Sequence, residues 1–317
     1  MSFLIGVDVG GTKVLAGEVT PDGRVVRTVT HRTPGRRVSV TALEDALTAA
    51  VLEVADGRTP LGIGLAAAGF VDAAGERVMF APHLPWAGED VRHRLAERWG
   101  APVTLDNDAN CAAYAESRLG AARGVSSALM VTMGTGIGGA LVLDGRVLRG
   151  ANGMAGEFGH MQVVPDGRAC ECGRHGCWEQ YSSGNALVRL ARARVVAEPT
   201  VLTDLCQGQP DQLTGPMVTA AAEDGDLVAR QAFSSVGDWL GVGLAGLVAA
   251  FDPAVVVVGG GVSAAGDRLL DPARAALGRS LVGAEHRSVP EVRAALLGPE
   301  AGLVGAALLA AEPPSRG

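Results

Sequence analysis

The sequence predicts an α/β protein made of two similar halves. Segments with the apolar pattern of strands alternate with segments typical of helices along the 317 residues. A strand, a glycine-rich turn, a second strand, an Asp-Gly turn and a third strand open the chain, and the same order returns from Ala128. This internal repeat, in a chain of this length, predicts two α/β domains of ordinary size.

The first half is predicted to begin with three antiparallel strands. An apolar run ends in glycines, a second strand follows, and the Pro-Asp-Gly turn at residues 21–23 closes a hairpin onto the third. The predicted strands are residues 3–10, 13–19, 24–30, 61–67 and 103–105, and the predicted helices are residues 40–55, 90–99 and a segment from about Ala109.

The second half repeats the opening unit over residues 128–148. Further helices are predicted from Ser183, over 226–250, from Asp267 and over 301–311, with strands at 254–261 and near Val292. The last helix could return to the first half. We therefore predict a small N-terminal α/β domain over residues 1–110, completed by the C-terminal helix at about 301–317, and a large α/β domain over 111–300.

Charge and hydropathy argue against several classes of partner. The chain has 27 basic and 34 acidic residues, a net charge of −7, and no run of Lys or Arg, so neither nucleic acid nor an anionic membrane is expected to bind. The N-terminus has no basic stretch before its apolar residues. The longest apolar run, Trp239 to Phe251, is shorter than the roughly 18 residues of a membrane span. We expect a cytoplasmic protein that binds small molecules.

Three glycine-rich turns follow predicted strands and are candidates for phosphate binding. GTGIGG at residues 134–139 fits the dinucleotide fingerprint, but that fingerprint requires a helix next and a strand follows. Glycines here could serve only to form hairpins, or their backbone N–H groups could approach phosphate oxygens, and three such turns in one chain favour phosphate. Asp8 beside the first turn suits a magnesium ion. The candidate residues are Gly10, Gly11, Thr12, Lys13, Gly134, Thr135, Gly136, Gly260 and Gly261.

Three of the five cysteines lie within eight residues, in CECGRHGC at residues 170–177. In a reducing compartment such a cluster favours metal ligation over disulfides. His160 with Cys170, Cys172 and Cys177 makes a Cys3His set without an open position, which is typical of structural zinc. The alternative is that His160 is an ordinary core histidine. Cys111 and Cys206 lie outside this spacing and are expected to be small buried apolar residues.

Taken together, DVGGTK, DNDAN, GTGIGG, GEFGH, CECGRHGCWE and VVGGGVS resemble the motifs of the ROK family of sugar kinases, most closely its bacterial glucokinases. The resemblance covers about residues 3–309. It implies a two-lobed, actin-like (ribonuclease H-like) fold of duplicated α/β domains with a cleft between them. It also implies ATP and Mg²⁺ as cofactors, a hexose substrate, a structural Zn²⁺ ion and assembly as a homodimer or homotetramer.

The resemblance assigns roles that the residues alone leave open. Asp108, where a strand gives way to a helix, could be a plain N-cap, but it matches the family's catalytic aspartate, which takes the proton of the sugar hydroxyl. Zinc would orient the loop that presents Glu179, and the second ring nitrogen of His160 could face the sugar. The sugar-binding residues that the resemblance implies are Gly69, His83, Asn107, Asp108, Glu157, His160 and Glu179.

Two positions depart from the family pattern. Asp106 stands where many members have glutamate, a mild change. His83, in FAPHLPW, stands where the family has an asparagine that contacts the sugar, so the identity of the sugar does not follow from the motif. His83 could also simply point to solvent.

Two classes of function fit these observations. The first is an ATP-dependent hexose kinase acting on the 6-hydroxyl of glucose, with another hexose or an N-acylhexosamine as the alternative substrate. The second is a sugar-sensing regulator, since part of the family consists of repressors, or a paralogue that only binds sugar. Regulators carry an N-terminal winged helix-turn-helix, whereas this chain enters its first strand at Phe3 and keeps Asp108.

Overall fold

The computed structural model describes residues 2–34 and 38–312, which form an α/β fold. The strands are β1 (Leu4–Val9), β2 (Lys13–Val19), β3 (Val25–Arg32), β4 (Ile63–Ala67), β5 (Phe70–Val71), β6 (Arg77–Phe80), β7 (Glu89–Asp90), β8 (Val103–Asn107), β9 (Ser127–Met133), β10 (Ile137–Leu143), β11 (Arg146–Val147), β12 (Val255–Gly259) and β13 (Glu291–Ala294). The helices are α1 (Val40–Ala55), α2 (Val91–Trp99), α3 (Asp108–Leu119), α4 (Gly184–Val195), α5 (Leu202–Leu205), α6 (Gly215–Glu223), α7 (Leu227–Phe251), α8 (Asp267–Ser280) and α9 (Ala301–Ala310).

The first sheet has the strand order β3-β2-β1-β4-β8. Its first three strands are antiparallel, and β1, β4 and β8 are parallel. Alternation along the strands divides their side chains between two cores, because successive residues of a strand point to opposite faces. One core joins the sheet to α1 and α2, and the other joins it to α3 and α9. The polar ends of β1 and β8 carry Asp8 and Asn107.

The second sheet repeats the strand and turn pattern of the first, as the sequence predicts. Its strand order is β11-β10-β9-β12-β13. A glycine turn joins β9 to β10, an Asp-Gly turn joins β10 to β11, and β12 runs parallel to both β9 and β13. A third, small antiparallel sheet of β5, β6 and β7 and the short helices α5 and α6 were not anticipated from the sequence.

One helix among the described residues, α7, is long and apolar enough to cross a membrane by length and composition alone. Its 25 residues extend well beyond the apolar run seen in the sequence. Within its most apolar window 61% of the residues are buried inside the protein. Because a core helix passes the same composition test, this burial indicates a packed helix of the fold.

Contacts divide the chain into two compact units. The first contains residues 1–127, 140–156 and 296–317, and the second contains residues 128–139 and 157–295. The last helix, α9, packs on β1, β4 and α3 of the first unit. The buried carboxylate of Glu116 holds the returning chain by accepting the N–H groups of Leu296 and Leu297 at 2.9 and 2.8 Å. The domain limits drawn from the sequence stay a prediction.

Candidate active site

The junction of β8 and α3 presents the candidate catalytic carboxylate. Asn107 is the N-cap of α3: its Oδ1 accepts the N–H groups of Ala109 and Asn110 at 2.9 and 3.2 Å. Asp108 is therefore the first residue of the helix, and the N-cap is Asn107 instead of Asp108. Nδ2 of Asn107 donates to the carbonyl oxygen of Gly69 at 3.0 Å, so three of the predicted sugar-binding residues lie together in the first unit.

Burial raises the pKa of Asp108 above its ordinary value, although the backbone N–H of Ala109 partly opposes this. Asp8 lies on β1, and its pKa is raised from 3.8 to about 7. Burial is the larger cause and the charge of Asp108 the next, while Lys13 acts in the opposite direction. Two neighbouring carboxyl groups with raised pKa values form a site that favours protons or a cation.

The first glycine turn, residues 10–12, is braced by the end of β3. Thr33 Oγ1 donates to the carbonyl oxygen of Gly10 at 2.8 Å, and Thr33 N–H donates to the carbonyl oxygen of Thr12 at 3.1 Å. Gly11 lies against His83: a Cβ atom at Gly11 would be 2.7 Å from the Cβ of the histidine. His83 is exposed, and this contact places it, the residue predicted to select the sugar, beside the first glycine turn.

Arg149 holds the β8–α3 junction through Asp106, and no sequence motif indicates this role. Nε of Arg149 donates to Asp106 Oδ2 at 2.9 Å, and a second guanidinium nitrogen donates to the same oxygen. The other oxygen of Asp106 accepts the N–H of Asn107 and the side-chain amide of Asn110, both at 2.8 Å. Asp106 is almost fully buried, so the arginine compensates a charge that would otherwise be costly there.

In the second unit, the four predicted metal ligands lie together. One ligand atom each of His160, Cys170, Cys172 and Cys177 lies within 4.8 Å of the other three. Cys172 and Cys177 have their sulfurs 3.6 Å apart, and Cys170 Sγ is 3.7 Å from His160 Nδ1. Tetrahedral zinc with Zn–S bonds of about 2.3 Å separates its sulfur ligands by about 3.8 Å. The two separations match this spacing, so these four residues are a candidate metal site. Cys111 and Cys206 lie outside it and are buried.

Glu179 joins this four-residue cluster to the second glycine turn. Its Oε1 lies 3.1 Å from Cys170 Sγ and 3.7 Å from His160 Nδ1. Its Oε2 accepts the N–H of Ile137 at 3.4 Å, directly after the turn. His160 Nε2, the ring nitrogen farther from the cysteines, lies 3.9 Å from Glu157. Glu157, His160 and Glu179 thus lie together in the second unit.

The second and third glycine turns meet within the second unit. Gly260 has a φ of +84°, a conformation that favours glycine, and a Cβ there would lie 2.5 Å from the carbonyl oxygen of Met133. The carbonyl oxygen of Gly134 accepts the N–H of Gly184 at 2.8 Å. This bond holds the start of α4 against the turn. The predicted phosphate-binding glycines at 134–136 and 260–261 therefore form one group.

A family model described as "ROK family" matches residues 4–313. The chain belongs to the ROK family. A glucokinase of Streptomyces coelicolor is 43% identical to this ROK protein over 99% of both chains. A crystal structure of a ROK family glucokinase from Streptomyces griseus in complex with glucose and AMPPNP is 44% identical, covers 98% of this chain and 99% of its own, and has a TM-score of 0.89. A ROK hexokinase from Thermus thermophilus is 38% identical, covers 97% of each chain and has a TM-score of 0.74.

These likenesses confirm the predicted family and the actin-like sugar kinase fold of this ROK protein. Its predicted sugar-binding residues divide between the two units. Gly69, His83, Asn107 and Asp108 belong to the first, and Glu157, His160 and Glu179 belong to the second. The roles of these residues stay predictions. The ion pair between Asp106 and Arg149 was not predicted, because no sequence motif connects two residues 43 positions apart.

Proposed function

We propose that this ROK protein is an ATP-dependent glucokinase that transfers the terminal phosphoryl group of ATP to the 6-hydroxyl of glucose. The observation that carries the proposal is Asp108: a carboxylate with a raised pKa, at the start of α3, beside the Asn107–Gly69 pair. The full-length similarity to glucokinases supports both the substrate and the donor.

Asp108 is the general base in this proposal. As the 6-oxygen of glucose bonds to the terminal phosphorus, Asp108 accepts its proton, and the bond from that phosphorus to the bridging oxygen breaks, releasing ADP. A general base works best when its pKa approaches the working pH, and burial moves the pKa of Asp108 in that direction. Asn107, fixed by its cap bonds and by Gly69, would orient the hydroxyl for attack.

The three glycine turns would hold the donor. In the first unit Gly11 and Thr12 offer backbone N–H groups, Thr12 a hydroxyl and Lys13 a charge, while Gly10 donates its N–H to the carbonyl oxygen of Lys13 and shapes the turn. In the second unit Thr135, Gly136, Gly260 and Gly261 offer backbone N–H groups, while Gly134 donates its N–H to the carbonyl oxygen of Gly136. Asp8 would hold the Mg²⁺ ion of the nucleotide, which neutralises phosphate charge when bound. Burial and the charge of Asp108 raise the pKa of Asp8 to about 7, and a bound cation would favour its charged form.

We assign His160, Cys170, Cys172 and Cys177 to a structural zinc ion, because the four ligand atoms cluster and two of their separations, 3.7 and 3.6 Å, match tetrahedral ligation. Glu157, His160 and Glu179 would bind sugar hydroxyls, with Glu179 oriented by the cluster. His83 would set the preference among hexoses. A cytoplasmic homodimer or homotetramer completes the proposal, by analogy with the family.

Other substrates and roles remain as alternatives. Another hexose or an N-acylhexosamine could be the acceptor, because His83 replaces the family's asparagine. A sugar-sensing regulator, or a paralogue that only binds sugar, has no need of a base with a raised pKa, so Asp108 favours the kinase. A coupled assay over a panel of hexoses with ATP distinguishes these alternatives.

The test is Asp108→Asn. We expect kcat for glucose to fall by at least about 100-fold, as is typical of a lost general base, while calorimetric affinity for glucose and the Tm stay near those of the wild type. Asp211→Asn, an exposed aspartate of the second unit, is the matched control and should keep full activity. An Asp108→Asn enzyme that retains more than a tenth of the wild-type kcat would remove Asp108 from the role of base.

A further inference from the structure

Two basic residues face each other across the hairpin that ends at the first glycine turn. Lys13 begins β2 and Arg32 ends β3, and they are directly paired in the antiparallel register. Side chains of directly opposed residues share one face of the sheet with Cβ atoms about 5 Å apart. Both side chains are exposed. Like charges that are directly opposite each other destabilise a sheet, so an anion bound between the two side chains would stabilise it.

Two other basic residues of the same hairpin lie close to carboxylates. Arg27 lies 3.4 Å from Glu18, and His31 lies 2.8 Å from Glu53. Within residues 2–34 and 38–312, no carboxylate lies within ion-pair distance, 4.0 Å, of Lys13 or of Arg32. Lys13 does act on Asp8, whose pKa it lowers, but it forms no ion pair with it. Lys13 and Arg32 therefore place two positive charges without an ion-pair partner side by side at the end of the hairpin next to the glycine turn.

The pair lies on the face of the sheet that carries Asp8. In the β1–β2 register Asp8 is opposite Leu15, and Leu15 shares a face of β2 with Lys13 because the two are two residues apart. Arg32 also lines a cavity of about 490 Å³ together with Gly11, Thr12, Thr33 and Pro34. The two hydrogen bonds of Thr33 to the turn fix the position of this end of β3.

We propose that Arg32, paired with Lys13, forms a subsite for the terminal phosphate of the donor. This inference rests on the proposed kinase function, in which the same glycine turn binds the donor. A guanidinium group presents a fork of N–H donors that matches two phosphate oxygens, and an ammonium group beside it adds a second positive charge. The ligand class is a chain of at least three phosphates, with ATP as the donor at this site.

The subsite gives a specific signature, because only a triphosphate reaches it. Transfer removes the terminal phosphate, so ADP leaves without ever contacting Arg32. Loss of the arginine should therefore weaken the binding of a triphosphate and leave the binding of a diphosphate nearly unchanged. A residue that merely supported the fold would change both affinities together.

The experiment is calorimetric titration of AMPPNP and of ADP, each with Mg²⁺, into wild type, Arg32→Ala, Arg32→Lys and Arg24→Ala. Arg24 precedes the opposite end of β3, about 25 Å away at 3.3 Å per residue, and is the matched control. We expect Arg32→Ala to lower the affinity for AMPPNP by about tenfold or more, as for a lost charge-assisted contact. Its affinity for ADP should stay within about threefold of that of the wild type. Arg32→Lys should recover part of the loss, and Arg24→Ala should match the wild type.

Inorganic tripolyphosphate provides a probe without a base or sugar. It should raise the Tm of the wild type, and the rise should be smaller by more than half in Arg32→Ala. Equal losses of AMPPNP and ADP affinity in Arg32→Ala, or no loss of either, would overturn the subsite. A wild type that neither binds AMPPNP nor phosphorylates glucose would instead overturn the proposed function. If the wild type binds AMPPNP and phosphorylates glucose, and Arg32→Ala binds AMPPNP with unchanged affinity, only the subsite is overturned.

Discussion

Replacing Arg149 by alanine removes the cation that compensates Asp106 at the base of the candidate catalytic helix. Asp106 would keep its bonds to the N–H of Asn107 and to the amide of Asn110. It would lose both guanidinium donors. Because the same carboxylate positions Asn107, the change should affect both the stability of the fold and the geometry around Asp108.

The structure sets the expected size of the effect. Breaking a buried ion pair by removing one partner costs about 3–5 kcal/mol, since the other charge stays buried. Asp106 is 4% exposed but Arg149 is 31% exposed, so water can partly replace the guanidinium group. We therefore expect a loss near the lower limit, about 3 kcal/mol. At about 2 °C per kcal/mol, as for large domains, the Tm should fall by about 6 °C.

Catalysis should respond as well. A displacement of the reacting groups by a fraction of an ångström already costs rate, so we expect kcat/KM for glucose to fall by about tenfold or more at a temperature where the variant is folded. Arg279→Ala is the control: its ion pair with Asp238 is largely exposed at both ends, and its loss should cost less than about 1 kcal/mol without any effect on kcat/KM.

A double-mutant cycle separates the pair from the loss of one side chain. Asp106→Asn removes the buried charge, so Arg149→Ala should cost less in an Asp106→Asn background than in the wild type, by about 1–3 kcal/mol. Calorimetric unfolding and steady-state kinetics measure both quantities. If Arg149→Ala changes the Tm by less than 2 °C, about 1 kcal/mol, and leaves kcat/KM within twofold, the pair does not support the site as argued.

Three further predictions concern zinc, Asp8 and His83. Cys172→Ser should lower bound zinc to less than about a tenth of an ion per chain and lower the Tm, whereas Cys206→Ser, outside the cluster, should keep its zinc; zinc-free, fully active wild type by elemental analysis would contradict the assignment. Asp8 has a pKa raised from 3.8 to about 7, so the protonated form stabilises the fold at low pH and this contribution is lost as pH rises towards and above 7. Without Mg²⁺, the free energy of unfolding of Asp8→Asn relative to that of the wild type should therefore rise by about 2–4 kcal/mol from pH 4 to pH 8. The same difference between variant and wild type at both pH values would contradict this. His83→Asn should raise kcat/KM for glucose relative to mannose, because the shorter amide can pair a hydroxyl that the imidazole displaces; a ratio that stays within about threefold means that His83 does not select the sugar.

The large elements were predictable because local patterns specify them. The helix over Val40–Ala55 and the hairpin of β2 and β3 follow from apolar periodicity and from turn residues that lie next to each other in the sequence. The small sheet of β5, β6 and β7 was missed because its strands have only two to four residues, too short to show alternation.

The candidate site was predictable only as far as its motifs extend. The sequence indicates the four candidate zinc ligands, which the fold does bring together, because their spacing is recognisable. It left open whether Asp108 is a base or a plain N-cap, and it did not indicate that Asn107 caps α3, since Asn and Asp side chains can both accept helix N–H groups. Arg32 and Arg149 gave no signal, because their importance depends on residues that only the folded chain brings near them.

The second unit links its candidate metal site to its candidate donor site through one side chain. One oxygen of Glu179 lies against Cys170 and His160, and the other accepts the N–H that follows the second glycine turn. Zinc ligation removes the S–H proton that Cys170 donates to Oε1, so the metal state of the cluster acts on the position of Glu179 and, through it, on the glycine turn. Loss of zinc should therefore weaken nucleotide affinity in addition to sugar affinity. A zinc site that only stabilised the fold would change neither in the protein that remains folded.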